Sequence, residues 1–502
     1  MSALRGCLLA SAFAVITACG GGGSNSIDIG GGDAVLTGQL IDSAVSGVRY
    51  ATATRSGVTD SEGRFEYLEA ETVSFYLGDL LLGEAQAAAV VSLFDLAEGV
   101  DPVVGNTLLR KAIGNRMEGP SFSTVINLAV LLQTLDSDGN PDNGIEISAD
   151  VAALFEPDSV NLNRHWQDFI HDQGFRQALT EAKASALLDG GRQMRKPWQA
   201  MAHLYASLGI DSKLKPVTGN AFSDASGFSS YSATQEFDAE GRLTQVWGAS
   251  GFINASTHTF DYDASGNRIR EERTSLFPSG TDGIFFYLYD GDGNLVRREV
   301  GTDGDETPGT GIDAVYEYVN DAQGRRLLED FDTNGDGVPE SSTAYFYDAD
   351  GNRQRNAYDS DGDGTPDSTN SFVHDAVGNQ VHGEYDANGD AMPETSVDYT
   401  YDAEGNLVRE FHYRNGDVST GRTYAYLYDA EGILARIEYD SNGDGIAETI
   451  EAYSYNDEGN LSLIESYAPG SEGAKSEESF TYESSADGWW WLFDQGATGV
   501  EL

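Results

Sequence analysis

The sequence predicts a multidomain, mainly β chain: a small β-sandwich over 33–90, a helical domain over 91–215, and a mainly antiparallel repeat domain of about nine 27-residue hairpin units over 222–482. Three observations carry this expectation. A glycine-ended turn recurs at a fixed period through the C-terminal half, aromatic residues alternate ahead of each turn, and the hydrophobic period is helical only in the stretch between sandwich and repeats.

Residues 1–19 have the layout of a cleavable signal peptide. Arg5 precedes the apolar stretch from Cys7 to Ile16, which is too short to cross a bilayer as a helix. Ile16-Thr17-Ala18-Cys19 resembles the lipobox of bacterial lipoproteins. That resemblance implies cleavage before Cys19, acylation of its thiol and partnership with a membrane through the N-terminal lipid; Gly20 after the cysteine implies sorting to the outer membrane. A plain secretory signal with an incidental cysteine is the other reading. In both, Cys7 leaves with the peptide and no disulfide forms in the mature chain. Residues 20–32 are a Gly-rich tether.

With 30 Lys+Arg against 82 Asp+Glu, the formal charge is −52. Such a chain repels nucleic acid and anionic lipid, so its partners are cations or cationic surfaces. The 25 Tyr and 22 Phe, regularly placed, argue that it folds despite this charge.

Strand patterns at 35–41, 47–50, 64–67 and 73–77, with the turn Asp60-Ser61-Glu62-Gly63, outline the sandwich. It resembles the carboxypeptidase-regulatory-like sandwiches of bacterial surface lipoproteins, which implies a spacer. The helical pattern then runs through Val125–Leu135 behind a Ser123 cap, and through segments near Trp166 and Trp198. The intervening loop offers oxygens at Asp136, Asp138, Asn140 and Asp142. It is either a weaker Ca²⁺ site or an Asx-rich turn, since Ile147 stands where a bidentate acid closes an EF-hand.

In the repeats the turn glycines are Gly241, Gly266, Gly293, Gly324, Gly351, Gly378, Gly405, Gly432 and Gly459, and the last five intervals are all 27. Aromatics six and four residues before the glycine, as at Tyr399 and Tyr401 or Tyr426 and Tyr428, fall on one face of a strand. Each unit is therefore a hairpin of two strands of about seven residues, spanning ~24 Å. The turn Tyr401-Asp402-Ala403-Glu404-Gly405-Asn406 resembles the YD repeats of RHS-type proteins, which implies β-strand spirals in large secreted or surface proteins. This period is longer than usual for that family, and no toxin domain follows. The pattern does not choose between an open sheet, a spiral and a barrel.

The opposite turn of four units repeats one nine-residue frame. Its oxygen-bearing positions are Asp332, Asn334, Asp336, Val338 (by its carbonyl) and Glu340; Asp359, Asp361, Asp363, Thr365 and Asp367; Asp386, Asn388, Asp390, Met392 and Glu394; and Asp440, Asn442, Asp444, Ile446 and Glu448. Many hard oxygens with no nitrogen or sulfur is Ca²⁺ chemistry. The frame resembles the calcium loops of FG-GAP and thrombospondin type 3 repeats. The loops at Gly301–Asp305 and Tyr413–Asp417 lose the first ligand and are expected to stay empty. Ala391 replaces the bend glycine, which predicts a strained, weaker loop.

The sequence has no Gly-x-Ser-x-Gly, His-Glu-x-x-His or phosphate-binding glycine loop, so no enzyme is expected. The leading expectation is a Ca²⁺-stabilised surface lipoprotein with a structural, adhesive or interaction role. A carbohydrate-binding module using the aromatic columns is the alternative, with surface glycans or proteins as partners; a hydrolase in the helical domain is the weakest reading. Residues 483–502, with Trp489-Trp490-Trp491, read as a C-terminal cap or an exposed docking patch.

Overall fold

A chain of antiparallel hairpins leaves two unpaired edges unless its first and last strands meet. Here they meet. Strand Val217–Asp224 pairs antiparallel with Ser476–Tyr482, and the twenty strands from Val217 to Tyr482 close into one barrel in which sequence neighbours are also spatial neighbours. The hairpins are present at the expected length, most strands having seven residues, and the closed barrel settles what their periodicity left open. The computed structural model describes residues 34–117, 119–224, 230–250, 254–275, 283–301, 313–471, 476–482 and 488–493, and Val35–Leu502 forms one unit.

The recurring turn explains its own composition. Asp402 Oδ1 accepts the N–H groups of Glu404 and Asn406 at 3.0 and 2.8 Å, its Oδ2 accepts Asn406 Nδ2 at 2.9 Å, and Gly405 takes φ 81°, which only glycine adopts without strain. Tyr401 then donates its hydroxyl to the Gln380 carbonyl on the preceding return strand at 3.0 Å. The same hydroxyl-to-carbonyl bond recurs from Tyr289, Tyr347, Tyr428, Tyr455 and Tyr482. Each motif tyrosine thus ties one hairpin to the one before it.

Strand alternation separates two faces. The motif tyrosines face the lumen, where Tyr262 meets Trp490 and Tyr455 and Tyr482 meet the helices. Between them, Val319, Phe346 and Val373 are about half exposed on the outside. That outer phase also carries mid-strand charges, Glu317, Asp330, Glu384 and Asp398, paired in register with Arg297, Glu317, Ser371 and His382. A seven-residue strand is barely long enough to span the ~25 Å lipid-facing band of a membrane barrel, so its middle would sit at the bilayer centre. These charges make that face unsuited to lipid. Among the described residues no helix is long and apolar enough to cross a membrane.

The N-terminal part forms two small sheets, one of strands Leu36–Ile41, Arg64–Tyr67 and Val90–Ser92 and one of Arg49–Ala51, Ser56–Val58, Thr72–Leu77 and Leu80–Gln86, and a third joins Val45–Ser46 to Ile145–Glu146. Phe65 and Phe75 meet edge-on between them at 5.2 Å. The predicted central helix is Phe122–Thr134, and every one of its residues is buried. Ser121 rather than Ser123 stands at its N-cap, where the Ser121 N–H donates to Thr124 Oγ1 at 3.0 Å; Ser123 is already inside the first turn.

Sheets, helices and the barrel mouth share one hydrophobic core. The helix Asn106–Gly114 and its C-cap Asn115 present Thr107, Lys111 and Asn115 to the carbonyls of Gly459, Glu431 and Glu404, three successive turns. Farther round, His171 Nδ1 meets the Gln323 carbonyl, Arg176 donates to Asn294, and Asn267 donates to Gln193. The helices therefore seal the mouth of the barrel. Trp489–Phe493 is a short helix within that seal, its three tryptophans buried.

Candidate functional site

The strands run antiparallel, so the acidic tips lie at the end of the barrel away from the helical seal. Each tip is closed at its base by a backbone bond from position nine to the residue before position one: Glu340 to Phe331, Asp367 to Tyr358, Glu394 to Tyr385 and Glu448 to Tyr439, all at 2.7–3.0 Å. The first aspartate folds inward. Asp332 Oδ1 accepts from Gly335 N at 2.7 Å and its Oδ2 from Gly337 N at 2.7 Å, and Asp359, Asp386 and Asp440 repeat the pattern. Partial desolvation works to raise the Asp332 and Asp386 carboxyls, but the N–H bonds from Gly337 and Ala391 and their neighbours hold both below their ordinary value.

In three tips the first, fifth and ninth residues converge: Asp332, Asp336 and Glu340; Asp386, Asp390 and Glu394; Asp440, Asp444 and Glu448, with carboxylate oxygens within 4.8 Å of one another. In the tip at Asp359 the converging trio is Asp359, Asp361 and Asp367. The difference has a cause. In the other three tips the third residue is asparagine, and its amide donates to the ninth carboxylate, at 2.7 Å from Asn388 to Glu394 and 2.6 Å from Asn442 to Glu448. Asp361 has no amide N–H to donate, so two carboxyl groups face each other there. The fifth carboxylate accepts the seventh residue's N–H in all four tips, Asp363 from Thr365 at 2.7 Å. The side chains of Val338, Met392 and Ile446 are about two-thirds exposed, so these residues offer a carbonyl alone.

The tips stand shoulder to shoulder. A Cβ on Gly362 would lie 2.9 Å from the Pro339 carbonyl, and one on Gly389 would lie 3.0 Å from the Pro366 carbonyl. Ala391 occupies the bend at φ 64°, the left-handed conformation its sequence position requires. In the degenerate loop, Asn415 and Gly416 make a tight turn with φ 50° and 70°, and Asp417 caps Ser419 at 2.9 Å. Cys19 and the loop from Thr302 to Asp305 lie outside the described residues.

The loop from Asp136 to Asp142 is arranged differently. Asp136 accepts the Glu146 N–H, Asp138 accepts Asn140 N and Asn143 Nδ2, and Asp142 turns away to His203 Nδ1 at 3.2 Å. The Arg192 guanidinium donates to the Thr134 and Asp136 carbonyls, so a protein cation already serves this loop.

Sequence reasoning missed the cluster around His203. Its Nε2 meets Ser43 Oγ at 2.9 Å and Ser207 Oγ at 3.2 Å, with Asp42 Oδ1 at 3.8 Å. Ser, His and Asp in that order suit acyl transfer, but the orienting Asp142 side chain is 84% exposed and two serines share one nitrogen. Burial, opposed by bonds from Gln133 and the charge of Arg195, raises the Asp42 carboxyl to about 7. The five residues come from three distant segments, Asp42-Ser43, Asp142 and the helical pair His203 and Ser207, and no motif joins them.

No family model matches the chain, and no curated protein does. Among solved structures it is similar to a crystal structure of TcdB2-TccC3-TEV, at 15% identity and a TM-score of 0.29 over 50% of this chain and 14% of that one. It is also similar to porin-like proteins from Bacteroides uniformis (11% identity, TM-score 0.25, 54% of this chain and 99% of that one) and Bacteroides vulgatus (14%, 0.22, 53% and 98%).

Proposed function

We propose that this chain is a lipoprotein anchored to the outer membrane through Cys19, and that its barrel stands outside the bilayer as a Ca²⁺-clamped scaffold with a structural or interaction role. The observation that carries the reading is the recurrence of converging carboxylates in four tips of one frame, three of them packed side by side on the rim and the fourth against the degenerate loop at Gly421. Oxygen-only ligands, flexible loop geometry and uncompensated negative charge suit Ca²⁺. Bound only by the folded tips, the ion stabilises by mass action. The charged outer phase of the strands supports a barrel in water rather than in lipid. The reading assigns no catalysis to the Ser–His–Asp cluster among the described residues, whose orienting Asp142 is exposed.

Calorimetric titration of the mature chain should give saturable Ca²⁺ uptake that Asp336→Ala reduces and Asp417→Ala leaves unchanged. Protease treatment of intact cells should release barrel fragments faster in chelator than in Ca²⁺, and Cys19→Ser should free the protein from membranes. Absence of saturable uptake would reduce the tips to ordinary acidic turns, and retention of Cys19→Ser in the membrane fraction would remove the lipid anchor.

A further inference from the structure

Five asparagines are followed by glycine: Asn143, Asn334, Asn388, Asn415 and Asn442. The pair is chemically unstable, because a glycine nitrogen, with no side chain beside it, can reach the side-chain carbonyl carbon of the asparagine before it. Four of the five are locked. In three tips the asparagine amide nitrogen donates to the ninth carboxylate, from Asn334 to Glu340, from Asn388 to Glu394 at 2.7 Å and from Asn442 to Glu448 at 2.6 Å. The glycine N–H that would react is donated to the first aspartate, from Gly335 to Asp332 and Gly443 to Asp440 at 2.7 Å, and from Gly389 to Asp386 at 2.8 Å. The asparagine oxygen is held as well, accepting the N–H of Asp336, Asp390 or Asp444 at 2.8–3.0 Å. At the fourth, Asn143 donates to Asp138 at 2.9 Å and the Gly144 N–H to the Pro141 carbonyl at 3.2 Å.

Asn415 is the exception. With Gly416 it forms the loop between the paired residues Arg414 and Asp417, at φ 50° and 70°, in the hairpin turn this dipeptide favours. Both residues are exposed. Tyr413 and Gly421 stand where the frame has its first and ninth acids, so neither lock can form. Among the described residues the Asn415 side chain and the Gly416 N–H have no hydrogen-bond partner. We propose that Asn415 is a self-modifying site, which deamidates in the folded chain while the other four asparagines stay intact. The Gly416 nitrogen attacks Cγ of Asn415 and yields its proton to a solvent base; the bond from Cγ to Nδ2 breaks, and that nitrogen takes a proton from solvent and leaves as ammonia. Water then opens the five-membered succinimide at either carbonyl, giving aspartate or isoaspartate, so the reaction needs nothing but water. The product places a new carboxylate on the rim beside the Asp386 tip, since the Asn415 N–H is donated to the Glu394 carbonyl at 3.1 Å. Isoaspartate also lengthens the backbone of a two-residue turn by one carbon. The order of reactivity follows from the hydrogen bonds and is independent of cation binding at the tips.

The test is peptide mapping by mass spectrometry of the mature chain, aged in mildly alkaline buffer with Ca²⁺, with isoaspartate read separately by enzymatic methylation. Asn415 should convert at least about tenfold faster than each of the other four, because two hydrogen bonds of ordinary strength must open before any of those can react. In urea, where no lock survives, the five should convert at similar rates. Asn415→Asp should abolish the early release of ammonia seen with the parent. Asp332→Ala removes the acceptor of the Gly335 N–H and should speed Asn334 about fivefold, with Asn388 and Asn442 in the same sample unchanged. Equal rates at the five sites of the folded chain, a lead by any site other than Asn415, or a lead that persists in urea would each overturn the proposal, whether or not Asp332→Ala folds. An unchanged Asn334 in folded Asp332→Ala would overturn it too.

Discussion

At the sealed mouth of the barrel, hairpin turns hand carbonyls and side chains to Thr107, Lys111, Asn115, His171, Arg176 and Gln193, and the protein satisfies itself. At the rim, the same hairpins end in carboxylates gathered in threes, answered by backbone N–H groups, asparagine amides and the hydroxyls of Thr333, Ser360 and Ser441 but by no described cationic side chain. On the proposed reading the same scaffold is complete at one end and completed by a cation at the other. One end would then be held by chain contacts of fixed strength, and the other by a ligand whose contribution changes with its concentration.

Chelation should give the largest effect and act on the rim. At free Ca²⁺ about 100 times the dissociation constant, each occupied tip adds ~2.7 kcal/mol, so withdrawing the ion should lower the melting temperature steeply. The Asp359 tip sharpens this prediction. Asp361→Asn restores the amide that its neighbours have, so it should raise the melting temperature in chelator and weaken Ca²⁺ uptake. A lower melting temperature in chelator would show that carboxylate repulsion does not govern the tip.

Trp490→Ala tests the other end. Trp490 is 2% exposed and meets Tyr262 across the mouth, so its removal should destabilise the barrel by about 3–5 kcal/mol in urea unfolding, equally with and without Ca²⁺. A Ca²⁺-dependent loss would mean that the two ends are coupled.

The fold was partly legible before its structure. The period, strand length and facing of the tyrosines follow from residues that repeat, because each hairpin satisfies its own turn. Closure was not legible: Val217–Asp224 and Ser476–Tyr482 share no motif and pair across the whole repeat array. Nor was the seal, since Thr107, Lys111 and Asn115 are ordinary polar residues until the turns arrive opposite them. In the tips, the first, fifth and ninth positions could be read from the frame. The replacement of Asp363 by Asp361 in one trio could not, because it depends on which side chain can donate a proton.

Acidity should pull the two regions apart. Asp332 and Asp386 have lowered pKa values, so their contribution is present above the ordinary carboxylate pKa and is lost as pH falls through the folded value. Asp42 has the opposite sign. With its folded pKa at about 7 against 3.8, the folded state holds the extra proton between those values, and stability declines as pH rises across that window. In chelator, Asp42→Asn should flatten the upper part of the stability–pH curve and leave its acid limb unchanged; an unchanged upper limb would remove Asp42 as its cause. The smallest effect is expected from Ala391→Gly, which relieves a left-handed alanine at φ 64° and should stabilise its tip by about 1 kcal/mol. A melting temperature at or below the parent's would mean that the strain is already relieved elsewhere.

Closure of the barrel also makes the helical seal a gauge of number. An open array can gain a 27-residue unit at its end, but here each added unit inserts two strands, about 10 Å of circumference, into a ring whose two ends must still meet. Thr107, Lys111 and Asn115 meet three successive turns at fixed helical steps, and the contacts at His171, Arg176 and Gln193 continue the count around the mouth. A duplicated or deleted hairpin would throw every later turn out of step with its partner on the helices. The length of this repeat is therefore set by the lid it has to fit, and a change in unit number would require a matching change in residues between 74 and 352 positions away.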